Sequence, residues 1–265
     1  MFAFSWRDTL ASHPLPQGQY AGDVVDQHEI GWCGWCYLVA AVQMVEDRLR
    51  ISHSAATGRS PHGRISTRAL IDTFREKDQD LSWSICQGGS SIHVLECMQD
   101  GNCTPRWILR NGEDGEDVMD VAVSVSGSGR LMEAHVRSEL YKYGPVILEV
   151  NATTLKSASR EDGKVTDLTY REPNHAVCVV GWEGDSWIVR NSWGTHGLVP
   201  KSIPSDYRGC SSPVRGKNTC IATMETWHSM PSDSGFVLLP MSFAPLHDMD
   251  SPWIHAHVAH STQFM

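Results

Sequence analysis

A cysteine, a histidine and an asparagine lie in three segments where they could carry nucleophilic chemistry together. Cys36 lies in the segment DQHEIGWCGWCY, His175 opens the apolar run HAVCVVGW, and Asn191 lies in WIVRNSWG. A cysteine nucleophile needs an imidazole to accept its proton, and the imidazole needs a third group that fixes its tautomer and orientation. A helix is predicted to begin at Cys36, and a helix N-terminus favours the thiolate form of a cysteine.

The segment around Cys36 also supports a second interpretation. WCGWC has the Trp-Cys-Gly-x-Cys pattern of thioredoxin-like dithiol oxidoreductases, in which Cys33 and Cys36 would form a reversible disulfide. In those proteins an apolar strand leads directly into the motif, whereas polar residues occupy positions 26–29 here. The redox interpretation is therefore the weaker of the two.

Three segments resemble the papain-like cysteine peptidases: a glutamine shortly before C-G-x-C, an N-H-A-V strand, and W-I-V-x-N-S-W-G. In that family the histidine and asparagine follow the cysteine by roughly 130 to 150 residues, close to the spacing here. The resemblance implies a thiol protease in which Cys36 is the nucleophile, His175 the general base and acid, and Asn191 the partner that orients His175.

The same resemblance assigns roles to two further polar or aromatic side chains. Gln27 would contribute a side-chain N–H to an oxyanion hole, together with the backbone N–H of Cys36. Trp193 would shield the hydrogen bond between the histidine and the asparagine. The resemblance implies a peptide or protein as substrate and no cofactor.

The segment Cys86–Gly89 resembles the part of the family that borders the substrate cleft. Gly88 and Gly89 are therefore expected to contact substrate. Cys33 with Cys86 looks like the structural disulfide that the family has near its nucleophile.

Between Gln27 and Gly31 the chain has three residues, His28, Glu29 and Ile30, that most papain-like enzymes lack. This insertion resembles that of the cathepsin X (cathepsin Z) group, in which a histidine receives the C-terminal carboxylate of the substrate. The resemblance implies carboxypeptidase-like cleavage with His28 in that role. Glu29 would compete for a cationic imidazole and repel the substrate carboxylate.

Several features depart from the family pattern. Trp35 and Tyr37 flank the nucleophile where the family prefers a small residue and Trp, so Trp35 could close the non-primed substrate site. The family carries a long inhibitory pro-segment, whereas 35 residues precede Cys36 here, and we expect no pro-segment. These departures suggest an alternative function, a non-catalytic papain-like subunit of a larger assembly.

The composition excludes several other classes of protein. Hydrophobic residues make up 41% of the chain and charged residues 20%, and the formal net charge is −9. This charge balance argues against nucleic acid or an anionic membrane as a partner. No apolar run reaches the roughly 18 to 20 residues that span a bilayer, and no export sequence is visible. By family resemblance we expect a lysosomal, endosomal or extracellular location.

Hydrophobic patterns predict helices in the first half and strands in the second, which indicates an α+β fold. The resemblance implies two lobes, one helical and one an antiparallel β-barrel, with the active-site cleft between them. A surface loop is expected over about 110–130, and Arg48 and Arg50 are expected to end the first helix. The predicted helices start at Cys36 and Ser66 and cover Ser90–Gly101 and Leu131–Tyr143, and the predicted strands cover Val146–Val150, Ala176–Trp182 and Trp187–Val189.

The chain is divided into a lead-in segment (1–25), a helical lobe (26–125), a barrel lobe (126–239) and a C-terminal tail (240–265). The tail is interpreted as a loosely ordered terminus, or as a segment through which a protein partner docks. Its histidines include a H-x-H pair, which rarely binds a metal without further ligands. No second closely spaced C-x-x-C pair is present, so no metal site is predicted.

Overall fold

The computed structural model describes residues 3–9, 12–27, 34–58, 63–65, 88–101, 106–111, 117–159, 162–194, 236–243 and 251–260. None of the helices in these ranges is long and apolar enough to cross a membrane. The helices are α1 (Cys36–Thr57), α2 (Ser91–Gln99), α3 (Glu133–Tyr143) and α4 (Ala152–Lys156). The strands are β1 (Ala3–Ser5), β2 (Gly63–Ile65), β3 (Arg106–Asn111), β4 (Asp117–Arg130), β5 (Val146–Val150), β6 (His175–Glu183), β7 (Ser186–Arg190), β8 (Phe236–Pro240) and β9 (Trp253–His260).

The strands pair into one sheet in the order β2-β3-β4-β9-β5-β6-β7-β8, and β1 adds to β6. Every ladder between these strands is antiparallel. Strand β6 is buried at all of its positions except the last, because β1, β5 and β7 surround it and α1 packs against it. This explains why β6 is a continuous apolar run rather than an alternating one. The predicted α+β class is confirmed.

Helix α1 begins at Cys36, as predicted, and lies in the core with its apolar residues Leu38, Val42, Val45 and Leu49 buried. The prediction that Arg48 and Arg50 end the helix is wrong, because the helix continues to Thr57. Both arginines are buried and donate hydrogen bonds instead. The partners of Arg48 are the carboxylate of Glu139 and the carbonyls of Pro145, Gly144 and Ala256, and those of Arg50 are the carboxylates of Glu46 and Asp47.

Two other predicted helices are confirmed, since α2 starts just after Ser90 and α3 ends at Tyr143 before Gly144. The helix predicted from Ser66 lies outside the described residues. Strand β5 has the predicted bounds, and β6 and β7 each extend the predicted strands slightly at both ends.

The surface loop predicted over residues 110–130 is wrong, because Asp117–Arg130 forms β4. Val125 is buried between exposed Ser124 and Ser126, which is the two-residue period of a strand with one covered face. The many serines and glycines of this segment suggested a loop, although Val121, Val123 and Val125 recur at every second position. The predicted boundary between residues 125 and 126 falls inside this strand.

The interpretation of residues 240–265 as a loosely ordered tail is wrong for the described part. Strand β9 lies between β4 and β5, pairing with both. Its residues Trp253, Ile254 and Ala256 are buried in the core. Any partner that docks through the tail would have to use other residues than these. Residues 244–250 and 261–265 of the tail lie outside the described residues.

Candidate active site

The N-terminus of α1 and the start of β6 bring Cys36 next to Ala176, the residue that follows His175. Cys36 is a buried free thiol, and the backbone amides of Ala176, Tyr37 and Cys36 itself lie close enough to the sulfur to favour the thiolate. Farther along the two elements, the thiol of Cys178 donates to the carbonyl of Ala40 at 3.1 Å. The helix therefore lies against the strand over its first turns, which fixes the sulfur beside the first residues of β6.

His175 is held on two sides by residues that follow β7. Its Nε2 lies 2.8 Å from Oδ1 of Asn191, and both side chains are buried. The indole of Trp193 stacks on the imidazole with ring centroids 4.8 Å apart and planes inclined by 28°. The stacked indole and the hydrogen bond to Asn191 together restrict rotation of the imidazole.

The hydrogen bonds of Asn191 determine the tautomer of a neutral His175. Its Oδ1 also accepts from the backbone N–H of Ser192 at 2.8 Å, which identifies this atom as the oxygen. An amide oxygen can only accept, so Nε2 of His175 must carry hydrogen. In the neutral ring Nδ1 is then the basic nitrogen.

Gln27 is fixed by contacts from Ser192 and Trp35. The hydroxyl of Ser192 donates to Oε1 of Gln27 at 2.5 Å, and the backbone N–H of Gln27 donates to the carbonyl of Ser192 at 2.7 Å. The indole of Trp35 donates to the carbonyl of Gln27 at 2.6 Å. Because its oxygen end is held by Ser192, the amide nitrogen of the side chain is oriented the other way and can donate a hydrogen bond.

Gly88 and Gly89 are exposed and lead into α2 beside the residue that follows Cys36. The hydroxyl of Ser91, the first residue of α2, donates to the carbonyl of Tyr37 at 3.0 Å. A Cβ added to Gly89 would lie only 2.6 Å from the ring of Tyr37, so this contact requires glycine. His28, Cys33 and Cys86 lie outside the described residues, and so does the predicted disulfide between the two cysteines.

Burial dominates the electrostatics of the thiol. It raises the pKa of Cys36 to about 11, although the amides of Ala176, Tyr37 and Cys36 favour the thiolate and act in the opposite direction. The helix N-terminus alone thus does not lower the pKa of this thiol, contrary to the expectation from sequence. Forming the thiolate therefore needs a base, and the imidazole of His175 belongs to the residue directly before Ala176, whose amide lies at the thiol.

Two contributions to this site are absent from the sequence prediction. Ser192 could have been found, since it follows Asn191 directly in the N-S-W-G segment. The buried pair Asp47 and Arg190 joins α1 to the residue before Asn191, and no local pattern marks two charges 143 positions apart as partners.

Comparisons with known proteins identify the family of the chain. Residues 16–198 match the family model described as papain family cysteine protease. A cysteine protease of Carica candamarcensis, solved in complex with E-64, superposes with a TM-score of 0.53 at 15% identity, covering 97% of this chain and 98% of that one. This similarity in structure confirms the predicted papain-like fold.

Similar sequences come from several kingdoms. Vignain of Phaseolus vulgaris is 27% identical over 215 residues, covering 74% of this chain and 56% of vignain. Cysteine proteinase 1 of Entamoeba histolytica is 28% identical over 188 residues, covering 66% and 57%. Cathepsin Z of Onchocerca volvulus is 23% identical over 239 residues, covering 79% and 72%. The chain spans about half the length of the first two relatives. Since the family model covers most of the chain, the chain belongs to the papain family of cysteine proteases.

Proposed function

We propose that this chain is a cysteine peptidase in which Cys36 attacks the carbonyl carbon of a peptide bond. One observation carries the proposal: the buried thiol lies against the amide of Ala176, beside a histidine whose Nε2 is bonded to Asn191. This leaves Nδ1 of His175 as the basic nitrogen. An arrangement of thiol, base and orienting group is the general pattern of an activated nucleophile.

The proposed reaction proceeds in two halves. Nδ1 of His175 takes the thiol proton as the sulfur of Cys36 bonds to the carbonyl carbon, and the oxygen becomes an oxyanion. The side-chain amide of Gln27 and the backbone N–H of Cys36 donate hydrogen bonds to it. The C–N bond then breaks, and His175 returns the proton to the leaving amine. In the second half water attacks the thioester, with His175 again as base, and releases the acid.

An epoxide inhibitor such as E-64, the ligand of the Carica candamarcensis protein, tests this chemistry. Mass spectrometry of the folded protein is expected to show one label, on Cys36. Cys36→Ala is expected to abolish labelling, and His175→Ala to slow it about 100-fold or more, the usual contribution of a general base. Cys178 is a second free buried thiol and serves as the internal control. Labelling of both cysteines alike, or of neither, would contradict the proposal.

We further propose carboxypeptidase-like cleavage, with His28 receiving the C-terminal carboxylate. It is supported by the insertion at residues 28–30 and by the similarity to cathepsin Z of Onchocerca volvulus. The test compares turnover of a peptide with a free C-terminus and of the same peptide amidated, with Cys36→Ala as control. Equal cleavage of both would remove His28 from this role and leave the peptidase proposal intact.

For the location we propose a lysosomal, endosomal or extracellular compartment.

The two alternative functions gain no support. For the dithiol oxidoreductase, the family model that matches residues 16–198, which include Cys33 and Cys36, is that of a cysteine protease instead. A non-catalytic subunit was suggested by Trp35, yet this indole is buried and holds the backbone of Gln27. We also propose that Cys33 forms a disulfide with Cys86. Peptide mapping under non-reducing conditions tests this pairing against the disulfide between Cys33 and Cys36 that the redox alternative requires.

A further inference from the structure

The C-terminal strand brings two histidines next to a carboxylate of helix α3. His255 and His257 are two positions apart on β9, so their side chains leave the same side of the strand. One nitrogen of each and one oxygen of Glu139 all lie within 4.8 Å of one another. We propose that Glu139, His255 and His257 bind a divalent transition-metal ion such as Zn²⁺. The H-x-H pair lacks a third ligand in the sequence, and the fold supplies it.

Two of the three ligand atoms already have the required spacing. Nδ1 of His255 lies 3.2 Å from Oε1 of Glu139. Bonds of about 2.0 to 2.2 Å to zinc, directed at tetrahedral angles, separate two ligand atoms by about 3.4 Å. An ion could therefore take the place of the proton shared between these atoms with little movement.

The third ligand has room to move into place. His257 is exposed, and its ring stands perpendicular to that of His255 with centroids 5.2 Å apart. Gly127 and Gly129 of β4 lie directly opposite His257 and His255 in the ladder. A Cβ added at either glycine would approach these rings at about van der Waals distance. Because glycine has no side chain, the face of the sheet beside the two imidazoles stays open.

The donor atoms select the class of ion. Two imidazole nitrogens and one carboxylate oxygen suit Zn²⁺ and its neighbours in the first transition row, whereas Mg²⁺ and Ca²⁺ prefer oxygen ligands alone. The fourth position of a tetrahedral ion would be taken by water. Zn²⁺ is therefore the ion with which we test the site.

Arg48 acts on the site in two opposing ways. Its Nη1 donates to Oε1 of Glu139 at 2.8 Å and to the carbonyl of Ala256 at 2.7 Å, while Nε donates to the carbonyl of Pro145 at 2.8 Å. These bonds hold the carboxylate in one orientation, as outer hydrogen bonds do for metal ligands. The guanidinium is also a positive charge near the ion, so it weakens binding relative to the three ligands alone.

A bound ion would fasten β9 to α3, two elements that are far apart in the sequence. The effect is expected on the unfolding temperature, since a ligand that binds only the folded state stabilises it. This inference does not depend on the proposed peptidase activity.

The experiment measures Zn²⁺ binding by isothermal titration calorimetry and by the shift in unfolding temperature. The parent for all measurements is Cys36→Ser, so that the thiol beside His175 does not bind the ion. We expect one equivalent of Zn²⁺ and a higher unfolding temperature. His257→Ala, which changes an exposed side chain, is expected to weaken binding at least about tenfold. His135→Ala, an exposed histidine on α3, is the matched control and is expected to bind like the parent.

Visible absorption of the Co²⁺-loaded parent provides a readout that needs no substitution of the proposed ligands. Intense bands of tetrahedral Co²⁺ that disappear on adding Zn²⁺ would support the site. The proposal is overturned if the parent does not bind Zn²⁺ even when the ion is in excess over the protein. It is also overturned if His257→Ala binds Zn²⁺ as tightly as the parent does.

Discussion

Asp47 and Arg190 connect helix α1 to strand β7 through a contact of 2.7 Å between Oδ2 and Nη2, with both side chains buried. Oδ1 of Asp47 accepts from the backbone N–H of Gly22 at 2.8 Å, and Arg190 donates to the carbonyl of Gly22 at the same distance. Although burial opposes its charge, Asp47 raises the pKa of Arg190 above its usual range. The helix that starts at Cys36 is thus tied to the residue before Asn191.

Replacing Asp47 is expected to destabilise the whole protein. Asp47→Ala leaves the buried guanidinium of Arg190 without its counter-charge, which typically costs about 3 to 5 kcal/mol of unfolding free energy. Urea unfolding measures this loss. Asp185→Ala, which changes an exposed carboxylate, is the control and should stay within about 0.5 kcal/mol of the parent. A loss below about 1 kcal/mol for Asp47→Ala would show that this ion pair is dispensable.

The raised pKa of Cys36 predicts the pH dependence of its alkylation when the base is removed. In His175→Ala the thiolate must form without help, and burial holds the pKa at about 11. The rate with iodoacetamide should therefore rise about tenfold per pH unit from pH 7 to about 9.5, without a plateau. A short cysteine peptide, whose pKa is about 8.5, is the control and should level off. A plateau below about pH 9 in the folded variant would contradict the assignment.

Ser192 is expected to act through Gln27 as a positioning residue. Ser192→Ala removes the hydrogen bond to Oε1, so the side chain of Gln27 can turn away from the developing oxyanion. We expect kcat to fall about tenfold with little change in KM, within the 10²- to 10³-fold limit for losing one oxyanion donor. Ser186→Ala on β7 is the control. In a Gln27→Ala background the Ser192 change should have little further effect; two independent losses would contradict the coupling.

Trp253 is expected to be a major core residue, although it lies in the segment interpreted as a tail. It is 2% exposed and packs edge-on against Trp187 with centroids 5.3 Å apart. Trp253→Ala should lower the unfolding free energy by about 3 to 5 kcal/mol. Met132→Ala, which changes a residue that is 64% exposed, is the control. Similar stability of the two variants would mean that β9 contributes little to the core.

The sequence predicted best those elements whose stability is local or whose apolar pattern is unbroken. Strand β5 and helix α3 were found because one is a continuous apolar run and the other ends at Gly144 before a proline. Strands β4 and β9 were missed because what stabilises them is pairing with each other and with distant strands. Their glycines, serines and histidines carry no strand preference of their own.

The candidate site shows the same division between motif and long-range contact. Cys36, His175 and Asn191 lie in segments whose letters alone predict their meeting. The orientation of Gln27 by Ser192 and the burial that raises the pKa of the thiol depend on three-dimensional packing. Neither can be derived from spacing along the chain.

The position of β9 between β4 and β5 affects how the protein must be made. The neighbours of β9 leave the ribosome long before it does, with residues 131–252 separating β4 from β9. Until then, β4 and β5 each expose a row of unpaired backbone groups, which is a template for association with other chains. Joining segments so distant is also slow. The nascent sheet is therefore open at its centre rather than at its rim. Its risk of associating with other chains through these edges lasts until β9 inserts between β4 and β5.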